Sequence, residues 1–159
     1  ARVVDRGIRE SGAIDIKKLC ITVGESVWIV FIDVHVLNDD GNIIDASCLA
    51  AIAALMTTII PNEQQGIGPN VPLPMKELPV GVTLAKIGSK LMVDPSLDEE
   101  AVCETKLTVV SGSDGAVVGM QKMGSAPLTE AEVLEAIDIA CEKAAELREL
   151  YLKDLVRQE

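Results

Sequence analysis

The chain has 159 residues, 48% hydrophobic and 25% charged, which excludes a disordered tail or a coiled-coil rod and predicts one ordinary domain or two very small ones with a real core. Asp and Glu number 25 against 14 Lys and Arg, a net charge of −11, so the surface as a whole repels phosphates and any nucleic-acid contact must be local. No apolar run is long enough to span a bilayer, and Trp28, Phe31 and Tyr151 are the only aromatic residues, which predicts a soluble protein without a general base-stacking platform.

Residues 2–11 read as a helix, with Val3, Val4, Gly7 and Ile8 on one side and Arg2, Arg6 and Arg9 recurring at i, i+4 and i+7 on another. Gly12 is a fitting stop. No Ser, Thr, Asp or Asn precedes Val3 to cap the first amides, so the helix reads as starting in mid-turn and the chain as a fragment. Val27-Trp-Ile-Val-Phe-Ile-Asp-Val-His-Val-Leu37 is nearly continuous and β-branched, the pattern of a strand covered on both faces. Asn38-Asp-Asp-Gly-Asn42 then makes a turn, and Asp45 is placed to cap a helix from Ala46 to about Thr58.

Residues 61–81 hold five prolines and three glycines with little periodicity, which reads as a linker or a long surface connection. Beyond it come short strands, Val82 to Ile87, Lys90 to Val93, Lys106 to Val110 and Val117 to Gln121, forming two hairpins of a small antiparallel sheet. Thr129 and Glu132 then form a capping box, with Leu128 and Val133 as a hydrophobic staple. The helix that starts there carries an apolar stripe of Val133, Ile137, Ala140, Cys141, Ala144, Leu147, Tyr151 and Leu155.

Several groups are candidates for chemistry. The acidic run Asp94-Pro-Ser-Leu-Asp-Glu-Glu100 follows a strand end, where its carboxylates can hold Mg²⁺ or work as acid and base, or simply form a solvated turn. Asp33 and His35 share one strand face, as a carboxylate-oriented imidazole or as a satisfied hydrogen-bond pair. Arg2, Arg6 and Arg9 run against the global field and can grip phosphates bidentately, unless Asp5 and Glu10 neutralise them. Cys20, Cys48, Cys103 and Cys141 form no CxxC pair and lie near no His cluster, so neither a metal site nor a redox motif is predicted, and reduced thiols point to a cytoplasmic protein. Without a P-loop or a GxGxxG motif no cofactor is expected.

Ala1-Arg-Val-Val-Asp-Arg-Gly-Ile-Arg-Glu-Ser11, Val27 to Leu37, Asp40-Gly-Asn-Ile-Ile-Asp-Ala-Ser47, Leu84-Ala-Lys-Ile-Gly88 and Val93-Asp-Pro-Ser-Leu-Asp-Glu-Glu100 closely resemble the RNase PH-like, non-catalytic subunits of the archaeal exosome. The resemblance covers essentially the whole chain. It implies an α+β, RNase PH-like fold of mixed and antiparallel sheets against helices. Residues 1–60 would be the C-terminal part of a truncated first domain, 61–81 a linker and 82–159 a second domain.

In catalytic relatives a Gly-Gly-Thr-Arg or Gly-Ser-Arg element cradles phosphate, and the matching stretch here is Gly41-Asn42-Ile43-Ile44. With Ile44 in place of the arginine, the resemblance implies a lost phosphate site and no catalysis. Asp94 and Glu100 match the paired aspartates as vestiges, one kept and one lengthened. Arg2 and Arg6 match arginines that reach RNA phosphates, while Arg9 joins them by helical geometry alone. The implied partners are a catalytic RNase PH-like subunit in a ring of three heterodimers, RNA-binding cap subunits and single-stranded RNA. Two other readings stay open: an active Mg²⁺-dependent phosphorolytic nuclease using Asp94, Asp98 and Glu100, and a metal-dependent enzyme built on Asp33 and His35.

Overall fold

A computed structural model describes residues 2–155. The first helix, α1 (Arg2–Glu10), buries Val3, Gly7 and Ile8 on the side the periodicity indicates. Gly7 has a packing role: a Cβ there would lie 3.1 Å from Val110 Cγ1, so its absence lets the helix settle on the sheet. A 3-10 turn (Ile16–Leu19) leads into a short hairpin, β1 (Cys20–Thr22) and β2 (Ser26–Val27).

There the expected strand from Val27 to Leu37 fails to form. Only Val27 belongs to a ladder, and Ile29, Phe31 and Leu37 are 68%, 83% and 97% exposed. The β-branched pattern is present, but a strand exists through hydrogen bonds to a neighbour, and no neighbouring strand runs beside this segment among the described residues. Trp28 ties its start down, donating from its backbone N to Leu19 O at 2.8 Å and from Nε1 to Asn62 Oδ1 at 3.1 Å, and Trp28 and Val30 pack against the core.

The next helix, α2 (Ile43–Thr57), begins three residues before the predicted start. Asn42 is its N-cap, in the left-handed region at φ 47°, and Asp45 lies inside the first turn. The cap assignment to Asp45 is therefore corrected: its carboxylate has stronger partners across the fold, described below. Residues 61–81 are also more structured than a linker. Ile59–Ile60 (β3) pairs with Val71–Pro72 (β4), and Ile14 bridges Met75. Asp15 N donates to Pro74 O and Lys76 N to Ala13 O, each at 2.8 Å, so the proline-rich stretch is strapped to the segment after α1.

The two predicted hairpins are present as β5 (Val80–Ile87) with β6 (Lys90–Val93), and β7 (Thr105–Ser111) with β8 (Val117–Gly124). They join through β5 and β7 into one antiparallel sheet of order β6-β5-β7-β8. Between them the acidic run supplies a short helix, α3 (Leu97–Val102), with Ser96 and Glu99 as a capping box where a bare turn was expected. The last helix, α4 (Glu130–Leu147), starts at the predicted Thr129–Glu132 capping box.

β5 is buried from Val80 to Ala85 without alternation, because the sheet is covered on both faces. Val80, Val82 and Leu84 share the core with Ala136, Ala140 and Ala144 of α4, whose small side chains allow close approach. Thr83, of opposite parity, meets α2. The predicted stripe breaks at its end. A π turn over Arg148–Leu152 adds a residue to the helical repeat, burying Leu152 and leaving the expected Tyr151 58% exposed. Arg148 anchors that turn, donating from Nε to Leu78 O at 2.8 Å and from a terminal nitrogen to Ser111 O.

Candidate functional site

The start of α2 meets the loop after β6 at one point. Gly41, at φ 95°, has no room for a side chain, since a Cβ would lie 2.5 Å from Pro95 O. Leu97 N donates to Asp40 O at 3.1 Å across the same contact. The close approach brings together residues 58 apart in sequence: Asn42 N donates to Glu100 Oε1 at 3.1 Å. Asn42 Nδ2 bridges two carboxylates, Asp94 Oδ1 at 2.7 Å and Asp45 Oδ2 at 2.9 Å. Asp94 also lies in the left-handed region, at φ 57°, which Asn and Asp tolerate better than most residues.

Asp45 is the hub of this cluster. Besides Asn42, it accepts from Thr83 N at 2.5 Å and from Thr83 Oγ1 at 2.6 Å, and Thr83 Oγ1 shares a 2.7 Å bond with the fully buried Thr108 Oγ1. Burial raises the Asp45 carboxyl above its ordinary value, outweighing the opposing donors Thr83 and Asn42. Burial likewise pushes the neighbouring Cys48 thiol up to about 12, which keeps it neutral and unreactive.

A cavity of about 120 Å³ opens beside these groups, lined by Asn42, Ile43, Ile44, Thr83, Glu100 and Lys106 among others. Residues 42–44 and Glu100 are thus neighbours in space, and Asp94 joins them through Asn42. Lys106, on β7, was missed from sequence; its ammonium lies 2.7 Å from Glu100 Oε1. A lysine within the otherwise buried β7 was the available signal, as was a threonine at position 83 amid apolar strand residues. Asp98 stands exposed on α3. Asp33 and His35 lie exposed in the segment without a ladder. Among the described residues no group of three or more His, Cys, Asp or Glu is arranged to hold a metal ion.

The arginines of α1 separate into two kinds. Arg9 pairs with Asp5 at 2.7 Å, the neutralising contact allowed from sequence. Arg2 and Arg6 instead line a groove of about 550 Å³ between α1 and the edge strand β8. Lys122 stands at its rim, donating to Gly124 O at 2.9 Å. Glu10 lines the groove as well, so two exposed guanidiniums and a lysine stand against one carboxylate, a locally cationic balance on an acidic protein that suits a phosphodiester backbone.

Comparison with known proteins adds the decisive observation: residues 1–61 match domain 1 of the 3′ exoribonuclease family and residues 77–143 match its domain 2. The chain belongs to this RNase PH family. Within that 3′ exoribonuclease family it is 84% identical over 159 residues to the exosome complex component Rrp42 of Methanosarcina acetivorans, covering 100% of this chain and 60% of the relative. It is 52% identical over 151 residues to the Rrp42 of Archaeoglobus fulgidus, covering 95% and 58%. The chain thus spans about 60% of the length of these RNase PH relatives.

Solved structures agree. An archaeal exosome core chain superimposes with a TM-score of 0.92 at 51% identity, covering 96% of this chain and 62% of that one. A chain of the Archaeoglobus fulgidus exosome with RNA bound to the active site gives 0.90 at 52% identity, covering 94% and 59%. Rice Rrp46, at 15% identity and a TM-score of 0.56, shares the RNase PH fold. No helix among the described residues is long and apolar enough to cross a membrane.

Proposed function

We propose that this chain is part of a non-catalytic, RNA-binding subunit of an archaeal exosome, a phosphorolytic 3′→5′ exoribonuclease complex. It pairs with a catalytic RNase PH-like subunit, and three such pairs close a cytoplasmic ring that takes single-stranded RNA and carries RNA-binding cap subunits. Residues 1–60 and 82–159 act as its two RNase PH-like domains, joined by 61–81.

The observation that carries this reading is Ile44 at the rim of the cavity before α2. In phosphorolysis an oxygen of inorganic phosphate attacks the terminal phosphodiester phosphorus, and the bond to the departing 3′ oxygen breaks to release a nucleoside diphosphate. Two anions must come together, which needs cations fixed in place before the reaction. An aliphatic side chain at position 44 offers none. Asp94 and Glu100, tied to Asn42, serve as vestiges that hold the loop after β6 against α2. Arg2 and Arg6 hold RNA for the neighbouring catalytic subunit.

Mass measurement of the purified protein mixed with an archaeal catalytic RNase PH-like subunit tests the assembly. A species holding three copies of each is expected. Failure to form any mixed complex contradicts the scaffold reading.

A further inference from the structure

We infer that Glu100, and not Ile44 alone, closes the oxyanion position in front of α2. The inference rests on the proposed loss of the phosphate site at residues 42–44 and adds a second cause. One oxygen, Glu100 Oε1, accepts from Asn42 N at 3.1 Å and lies 2.7 Å from Lys106 Nζ. A backbone amide at the start of a fifteen-residue helix and an ammonium are donors that together suit an oxyanion, and here a carboxylate of the chain itself takes both.

The surroundings keep the plug in place. Asn42 Nδ2 is committed to Asp45 and Asp94, so the side chain at the helix start has no donor left for an incoming anion. Asp39 and Glu100 line the cavity together with Lys106, and Asp45 and Asp94 are bound to Asn42, which lines it too, so carboxyl groups outnumber ammonium groups there and the field repels a phosphate dianion. Glu100 has the reach for this because its side chain is one methylene longer than the aspartate matched in catalytic relatives. Removing Glu100 takes away one negative charge and frees both Lys106 and the Asn42 amide.

It follows that restoring an arginine at position 44 does not by itself restore anion binding, since the new guanidinium enters a cavity that already holds the carboxylate of Glu100. The test compares inorganic phosphate binding, by calorimetry and by phosphate-dependent thermal shift, in the wild type, Ile44→Arg, and Ile44→Arg combined with Glu100→Ala. The double variant is expected to bind phosphate at least tenfold more tightly than Ile44→Arg. Glu100→Asp in place of Glu100→Ala supplies a less disruptive variant, with the carboxylate withdrawn from the amide, and is expected to shift affinity in the same direction.

Equal phosphate affinity in Ile44→Arg and in the folded double variants overturns the role of Glu100. Phosphate binding by the wild type overturns the lost-site reading instead, so the two failures are distinguishable.

Discussion

Changing Arg2 and Arg6 together to Glu lowers the affinity of the assembled complex for single-stranded RNA by roughly 10- to 100-fold and reduces the slope of log affinity against log salt by about 1.4, two phosphate contacts on a single strand. Both side chains are exposed and line the groove along β8. The helix is held by Val3, Gly7 and Ile8 on its other side, so charge reversal leaves the fold in place. Arg9 is the internal control: already paired with Asp5, its change to Glu alters affinity by less than about threefold. Fluorescence anisotropy with labelled oligo(A) at several salt concentrations reads all of these. An affinity and slope unchanged in the double variant would assign the arginines to a solvated face.

Asp45→Ala destabilises the protein by about 2 kcal/mol, because Thr83 N and Asn42 Nδ2 lose an acceptor in a place water reaches poorly. The loss is limited because ionised Asp45 already carries a desolvation cost, as its raised pKa shows. That shift has a definite sign. A carboxyl raised in the native state keeps its proton at pH values where the unfolded chain has released it. Its favourable contribution is present below the unfolded value and is lost as pH rises through the native one. Urea unfolding of wild type and Asp45→Asn across the range just above the ordinary carboxylate pKa measures it: the stability of the wild type relative to the variant falls as pH rises. A difference that grows with pH, or an Asp45→Ala protein as stable as wild type, contradicts this account.

Locally encoded features were legible in the sequence. The Thr129–Glu132 capping box, the two hairpins and the first helix each depend on residues a few positions apart, and each is present. Features decided by distant partners were not. The segment from Trp28 to Leu37 has the composition of a strand, but pairing is a property of two segments. Asp45 has the chemistry of a helix cap, yet Thr83, 38 residues away, offers two donors and wins it. The π turn at Arg148 leaves no periodic trace, so Tyr151 and Leu152 exchanged places.

The candidate site divides in the same way. Motif order pointed to residues 42–44, 94 and 100, and the fold brings them together. Lys106 escaped notice because a single lysine in a strand carries no motif; only the antiparallel pairing of β7 shows where its ammonium goes. The neutralisation of Arg9, at i+4 from Asp5, was visible from spacing, while the groove that distinguishes Arg2 and Arg6 needed β8 in place.

The claim on which the rest depends is that this polypeptide does not itself use phosphate to cut RNA. Purified protein, free of any catalytic subunit, is incubated with oligo(A), inorganic phosphate and Mg²⁺, and the products are separated by ion-exchange chromatography. The substrate should remain at full length, with degradation starting only when the catalytic partner is added. Steady release of adenosine diphosphate by the protein alone would contradict the account.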